Sequence, residues 1–247
     1  MAEAPYDARK FPPFAVTVDV IILTITRHGL SAVMIRRGSE PFEGALAIPG
    51  GFVKPDEDLD DAAVREFGEE TGLQLRRSDL IQIGAYGAPD RDPRMRVVSV
   101  AYVALVADLP EPKGGSDAAS AEIRAVKPML ERRVKLAFDH HRILSDAVDR
   151  IRNLVEHTPA ATRFCPPAFT LADLRQVYEA VWDVSLDPAN FRKRVLKTKD
   201  FVQPTGLKRL PKGDLGRLAE TFERGPAREL TPPLRRPGTY FHPSDNG

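Results

Sequence analysis

Residues 50–73 read GGFVKPDEDLDDAAVREFGEETGL. A glycine pair opens it, and the acidic residues that follow have the pattern of a helix beginning at Asp58. Asp58 is suited to cap the first turn, because its carboxylate can accept a hydrogen bond from a backbone amide there. Gly72 fits the position just after the last turn, where left-handed geometry is needed. The sequence therefore predicts an acidic helix over residues 58–71.

Three carboxylates share one face of this predicted helix. At about 100° per residue, Glu66, Glu69 and Glu70 lie within an arc of about 100°. Like charges at this spacing repel each other by a few tenths of a kcal/mol per pair on an exposed face. Either the face is simply solvated or a cation binds it. Oxygen ligands this close together suit a hard divalent ion such as Mg²⁺, which also binds substrate phosphates.

The segments around the helix predict a mixed α+β domain over residues 1–157. Residues 14–25 and 95–107 are rich in β-branched and small apolar side chains, which predicts buried strands, and shorter stretches predict further strands. Residues 135–157 carry apolar side chains at helical spacing, which predicts a long amphipathic helix.

The pattern changes in the last third of the chain. Residues 158–169 contain three prolines and show no periodicity, which predicts a linker. Thr170 can cap a helix over residues 170–182, and Asp187-Pro188 can open a second helix. A strand, a turn and a basic loop follow. This is the order of elements in a winged helix-turn-helix domain, which we place over residues 170–247.

Charge separates the same two parts. Residues 1–157 carry 21 basic and 25 acidic side chains, whereas residues 158–247 carry 15 and 10. Eight of the basic side chains lie between residues 187 and 212, against two aspartates. Such a local excess attracts the phosphates of nucleic acid. The alternative is an ordinary basic surface on a helical extension.

Cysteine usage and hydropathy indicate a cytoplasmic protein. The single cysteine, Cys165, cannot form an internal disulfide, which is typical of a reducing compartment. The apolar run around residues 20–23 is far too short to cross a bilayer, and the N-terminal stretch MAEAPYDARK has no apolar signal core. We expect no membrane association.

Residues 51–73 resemble the Nudix box, G-x5-E-x7-R-E-U-x-E-E-x-G-U, at every fixed position, with Phe67 where a smaller aliphatic residue is usual. The resemblance implies a Nudix α/β/α sandwich, a bound Mg²⁺ or Mn²⁺, and a ligand with a nucleoside diphosphate linkage. Glu66, Glu69 and Glu70 would be metal ligands, and Glu69 and Glu70 would be catalytic if the protein is an enzyme. Four other residues would fix the geometry of the box: Gly51, Glu57, Arg65 and Gly72.

Three further stretches are similar to Nudix proteins that handle ADP-ribose: residues 35–53, 85–105 and 136–144. This resemblance places Arg37 and Phe42 in the ligand-facing region. Arg91 and Arg94 offer guanidinium forks that suit phosphate. The alternative for these arginines is surface solvation. ADP-ribose or a related nucleotide is the expected ligand.

A Nudix domain joined to FTLADLRQVYEA and NFRKRVL closely resembles the Nudix-related transcriptional regulators of NAD metabolism. The resemblance resumes at residues 235–241, which look like the end of a wing, so residues 211–234 look like an insertion. A homodimer is implied, because two-fold operators need two reading heads. The expected DNA-binding residues are Asn190, Arg192, Lys193, Arg194, Lys197, Lys208, Arg209, Arg235 and Arg236.

The sequence therefore favours a repressor of NAD biosynthesis or salvage genes that binds operator DNA and is released by ADP-ribose or a related nucleotide. The alternative is a metal-dependent pyrophosphatase that cleaves ADP-ribose to AMP and ribose 5-phosphate, because the Nudix box is intact. The two activities are compatible in one protein.

Overall fold

The computed structural model describes residue 7 and residues 10–114, 118–210 and 218–238. A mixed sheet forms the middle of the N-terminal domain, and β1 lies at its centre, parallel to β6 and antiparallel to β2 and β4. Its strands are β1 (Ala15–Thr26), β2 (Gly29–Arg37), β3 (Leu46–Ala47), β4 (Gly50–Phe52), β5 (Ile81–Tyr86), β6 (Val97–Leu105) and β7 (Ala118–Ala125).

Helices cover both faces of this sheet: α1 (Leu59–Thr71), α2 (Val126–Leu130) and α3 (His140–His157). Alternate side chains of β1 divide between the two faces. Val20 and Ile22 pack in one cluster with apolar residues of α1, whereas Ile21 and Leu23 pack in another with residues of α3. This period of two is the signature of a strand buried on both sides. The predicted α/β/α sandwich is confirmed.

Local chemistry sets both ends of α1 as predicted. The Asp58 carboxylate accepts a hydrogen bond from the amide of Leu59 at 2.7 Å. Gly72 adopts the left-handed conformation (φ 67°) and donates its amide hydrogen to the Gly68 carbonyl. Phe67 is buried on the side facing the sheet, so it anchors the helix.

Helix α3 begins later than its apolar periodicity predicted, at His140 rather than near residue 135. Phe138 has a positive φ of 50°, which a right-handed helix cannot contain. Leu136 instead forms a parallel bridge to Leu46 in β3, and the Ala137 amide donates to the Leu46 carbonyl. The segment before α3 is therefore tied to the sheet edge.

The C-terminal part is a winged helix domain, and its elements are α4 (Leu171–Trp182), α5 (Pro188–Lys197), β8 (Phe169–Thr170), β9 (Val202–Arg209) and β10 (Ala219–Arg224). Thr170 and Asp173 form a reciprocal capping box at the start of α4. Asp187 caps α5 by accepting from the Asn190 amide at 2.8 Å, with Pro188 in the first turn. Both predicted helix starts are confirmed.

The interpretation of residues 211–234 as an insertion is wrong. Strand β10 lies within that range and pairs antiparallel with both β9 and β8, so it is the return strand of the wing. Residues 235–236 do not end the wing. The Arg235 carbonyl accepts from the Arg194 side chain of α5, and the Arg236 amide donates to Glu156 of α3. Residues 211–217 and 239–241, also covered by those interpretations, lie outside the described residues.

The two domains share one apolar core, which runs from α3 across α4 to the wing sheet. Within the predicted linker, residues Pro159–Phe164 form a 3-10 helix whose Ala161 is fully buried. The buried Tyr178 hydroxyl of α4 donates to the Val155 carbonyl of α3 at 2.9 Å. The predicted domain boundaries, with a linker between residues 157 and 170, stay a prediction. In the described part of the chain, no helix combines the length and hydropathy that a bilayer crossing requires.

Candidate functional site

A cavity of about 550 Å³ opens beside β1 and α1. It brings together the predicted carboxylates Glu66, Glu69 and Glu70 with three of the four predicted ligand-binding residues, Arg37, Arg91 and Arg94. Residues of both signs thus meet in one concave surface. Such a surface suits a ligand that carries its own negative charge and a cation with it.

Arg65 organises the carboxylates of the Nudix box. Its Nε donates to Glu57 at 2.8 Å, and its Nη1 donates to Glu66 at 2.7 Å and to Glu69 at 3.2 Å. Its Nη2 also donates to the Phe52 carbonyl of β4. The side-chain hydrogen bond from Arg65 lowers the pKa of Glu57 to about 2. Arg65 and Glu57 therefore brace the loop against α1, in the structural role that the resemblance implied.

Glu70 is the most buried of the three carboxylates, and it faces the sheet edge. It is 6 % exposed and accepts from the Gly50 amide at 2.8 Å. Burial raises the pKa of Glu70 to about 8, against the hydrogen bond from Gly50, and the neighbouring Glu66 raises it further. A carboxyl group held this way is stabilised in its charged form by a nearby cation.

These residues fit a divalent cation in their chemistry. A β-carbon on Gly51 would lie 2.5 Å from the Glu66 carboxyl carbon, so only glycine leaves that carboxylate in place. Among the described residues, however, no three carboxylate, histidine or cysteine side chains already have metal-binding geometry. Arg65 supplies part of the positive charge at Glu66 and Glu69 instead.

We expect the stability of the metal-free protein to fall, through Glu70, as the pH rises from about 4.5 to about 8. In that range the unfolded chain has lost this proton while the folded chain still holds it, so rising pH favours unfolding. Thermal unfolding of the wild type and of Glu70→Gln across this range isolates the contribution of this group. Two curves with the same pH dependence would contradict the assignment.

A buried polar network behind the cavity was not predicted from the sequence. The Arg91 side chain is 4 % exposed, and its Nε and Nη2 donate to Asp139 at 3.1 and 2.7 Å. Its Nη2 lies 3.4 Å from Asp19, which also lies 3.4 Å from the His140 Nε2. His140 accepts from the Ile48 amide at Nδ1, and burial lowers its pKa, so the ring is neutral. In this structure Asp139 occupies the guanidinium fork of Arg91 that we predicted for phosphate.

Two phenylalanine rings line the cavity, Phe52 and Phe138, whereas the predicted Phe42 is not among its lining residues. Phe138 lines the cavity, with the Arg37 guanidinium carbon 4.9 Å and that of Arg94 5.8 Å from its ring centre. Phe42 packs against Phe138 edge to face at 4.9 Å. Arg94 also donates to Asp92 at 2.8 Å, and its side chain is 42 % exposed. Phe42 therefore supports the aromatic residue that faces the ligand space.

A second candidate site is the outward surface of α5 and the wing. Phe191 and Val195 are buried and hold α5 against the domain. Six of the nine predicted DNA-binding residues are exposed: Asn190, Arg192, Lys193, Lys197, Lys208 and Arg235. The outward surface of α5 is cationic and exposed, as a helix that enters a groove of duplex DNA requires.

The other three predicted DNA-binding residues, Arg194, Arg209 and Arg236, form hydrogen bonds within the protein. Arg209 donates to the buried Asp173 of the capping box at 2.7 Å, so it ties the wing to α4. Arg194 donates to the Arg235 carbonyl, and the Arg236 backbone is held by Glu156. Arg192 lies 3.8 Å from Glu220 across the surface, and both side chains are about half exposed. That exposed pair leaves Arg192 accessible to solvent.

Known proteins match both sites. Residues 13–147 match the NUDIX domain and residues 161–223 match the NrtR DNA-binding winged helix domain. The chain is 31 % identical to the ADPR responsive transcriptional repressor NtrR of Acinetobacter baylyi, over 79 % of this chain and 77 % of that protein. It is 42 % identical to an ADP-ribose pyrophosphatase of Methanocaldococcus jannaschii, over 53 % of this chain and 72 % of that protein.

A solved structure shares the fold of most of the chain. Shewanella oneidensis NrtR complexed with a 27mer DNA superposes with a TM-score of 0.72 at 26 % identity, over 89 % of this chain and 99 % of that chain. At this coverage the match includes parts of both domains. The chain belongs to the NrtR-type family of Nudix-related transcriptional regulators.

Proposed function

We propose that the protein is a transcriptional repressor that binds operator DNA through its winged helix domain and is released by ADP-ribose. The observation that carries the proposal is the presence, in one chain with one continuous core, of a carboxylate-rich nucleotide cavity and an outward cationic helix. A pyrophosphatase needs the first of these features and has no use for the second.

Helix α5 is the recognition helix of this proposal. Lys193 and Lys197 lie on its solvent face, and Lys208 lies on the adjacent wing strand. Cations placed in this way neutralise phosphates and release counterions, which gives affinity that falls with salt. The NtrR relative is named a transcriptional repressor, and the matching NrtR structure holds DNA.

The cavity suits ADP-ribose in its charge and shape. A divalent ion, Mg²⁺ or Mn²⁺, held by Glu66, Glu69 and Glu70 would neutralise the pyrophosphate. Arg37 and Arg94 add positive charge beside the Phe138 ring, which offers a flat apolar surface. Both curated relatives are named for ADP-ribose.

Helix α3 connects the two sites physically. Its first residue, His140, lines the cavity, and Val155 near its end accepts the hydrogen bond from Tyr178 of α4. A ligand that shifts the start of α3 therefore acts on the element that supports α5. If ADP-ribose prefers one orientation of the winged helix and operator DNA the other, each weakens the binding of the other.

Three further properties belong to the proposal. The protein acts as a homodimer, since a two-fold operator takes two reading heads. It works in the cytoplasm, where DNA is accessible and where its buried free Cys165 stays reduced. Its targets are NAD biosynthesis or salvage genes, because the ligand derives from NAD.

The proposal is tested by mobility shift of duplexes that the purified protein selects from a random library. We expect retarded complexes at low salt that dissociate when micromolar ADP-ribose and Mg²⁺ are added. Failure to retard any duplex at low salt would end the repressor proposal.

A second candidate function, hydrolysis of ADP-ribose to AMP and ribose 5-phosphate, is favoured by the intact box. The Arg65–Glu57 brace and the inward Glu70 are both present, and a relative at 42 % identity is named a pyrophosphatase. Incubation with ADP-ribose and Mg²⁺ or Mn²⁺ followed by detection of AMP tests it. We expect any turnover to be lost in Glu69→Gln and Glu70→Gln and kept in Glu131→Gln, which alters an exposed carboxylate outside the cavity. AMP release that survives the first two changes would exclude this site as its source.

A further inference from the structure

One apolar side chain on α5 lies outside the buried core of the winged helix domain. Leu196 is 48 % exposed, whereas Phe191 and Val195 supply the buried side of the helix. Its neighbours in the chain, Val195 and Lys197, face the core and solvent respectively. An exposed leucine is ordinary when it is isolated on a neutral surface. Here it lies on the surface that the proposed function assigns to DNA.

Helix geometry places Leu196 on the same side as the cations. At about 100° per residue, the direction opposite Phe191 and Val195 points through Lys193. Leu196 lies about 60° to one side of Lys193, and Lys197 lies about 40° to the other. The outward face of α5 therefore carries a lysine flanked by a second lysine and a leucine, and all three are exposed.

The chemistry of the two kinds of side chain divides their tasks. The lysines can reach phosphates, which carry no sequence information. Leucine cannot donate or accept a hydrogen bond, so within the major groove its one favourable partner is the C5-methyl group of thymine. A protein partner is a poorer fit, because the flanking lysines would have to be desolvated with it.

We propose that Leu196 reads the C5-methyl group of a thymine in each half of the operator. This inference rests on the proposed DNA-binding function. Leu196 would be a specificity-determining residue of that function. It would supply sequence preference, whereas Lys193 and Lys197 would supply affinity. Its chemical signature is sensitivity to one methyl group on the DNA.

The test replaces thymine by deoxyuridine, which removes only that methyl group. In a duplex selected by the full-length protein, deoxyuridine replaces thymine at one position at a time, in both half-sites together. The dissociation constant of each duplex is then measured. For the wild type we expect one thymine position at which the change weakens binding about fourfold per half-site, the value of one buried methyl-sized group. For Leu196→Ala we expect no further loss at that position.

Two variants make the comparison specific. Leu207→Ala makes the same change at an exposed leucine of the wing, and it should keep the wild-type response to deoxyuridine. Lys193→Ala should weaken binding to the thymine and deoxyuridine duplexes equally. Unchanged thermal unfolding and ADP-ribose affinity of Leu196→Ala would show that the variant is folded.

Several results would overturn the inference. They are a selected site without thymine, a wild type indifferent to every deoxyuridine, or a Leu196→Ala protein that keeps the full wild-type penalty. Each of these leaves the repressor proposal standing, because DNA is still bound. Absence of binding to any duplex removes both.

Discussion

The double change Arg192→Ala with Lys193→Ala is expected to weaken operator binding at least about a hundredfold at moderate salt. Both side chains are exposed on α5, and each can supply a charge-assisted hydrogen bond of about 1.5–3 kcal/mol to phosphate. The dependence of log K on log salt concentration should become shallower by about 1.8 per recognition helix, because two phosphate contacts are lost. Fluorescence anisotropy across a salt series measures both quantities.

Arg150→Ala is the matched control for this change. Arg150 is exposed on α3, and its replacement by alanine removes a positive charge outside the winged helix domain. We expect it to leave DNA binding near the wild-type value. The double variant should bind ADP-ribose normally, since neither residue lines the cavity. Equal loss of DNA and ADP-ribose affinity would show that the two functions are assigned to the wrong parts of the chain.

Gly51→Ala is expected to raise, at least about tenfold, the ADP-ribose concentration that releases DNA, while leaving DNA binding intact. The new β-carbon would lie 2.5 Å from the Glu66 carboxyl carbon, at the flexible end of a side chain. The carboxylate therefore moves and the fold survives, but a divalent cation bound with the pyrophosphate would lose Glu66 as a ligand. We expect ADP-ribose affinity in the presence of Mg²⁺ to fall at least tenfold, the effect of about 1.4 kcal/mol.

Gly84→Ala provides the comparison for the glycine change. A β-carbon on Gly84 in β5 meets no other atom within 4 Å, so this variant should respond to ADP-ribose as the wild type does. Isothermal titration for ADP-ribose and anisotropy for DNA separate the two affinities. A Gly51→Ala protein that still releases DNA at the wild-type ADP-ribose concentration would remove Glu66 from the site.

Features set by neighbouring residues could be predicted from the sequence. The start of α1 at Asp58 and its end at Gly72 depend on local backbone chemistry, and both lie where the sequence placed them. The same holds for the caps of α4 and α5 at Thr170 and Asp187. The carboxylate cluster follows from helical spacing together with the Nudix resemblance.

Features set by distant residues could not be predicted in the same way. The network of Asp19, Arg91 and His140 joins β1, a loop and the start of α3, which are far apart in the chain. The one local sign of this network in the sequence was Asp19, a charged residue inside an apolar strand. The return strand β10 was not predicted because its sequence, AETFER, has few apolar residues. Its partner strand β9 lies across the wing, so neighbouring residues give no sign of the pairing. Phe138 faces the cavity because its positive φ breaks the predicted helix.

In the proposed function, the nucleotide cavity and the DNA-binding surface are energetically coupled. The most direct measurement is the dissociation constant for a selected operator duplex, by anisotropy, at increasing ADP-ribose with Mg²⁺ present. We expect it to rise, and we expect saturating operator DNA to weaken ADP-ribose binding by the same factor, as linkage requires. An operator affinity that stays constant while ADP-ribose demonstrably fills the cavity would contradict the account.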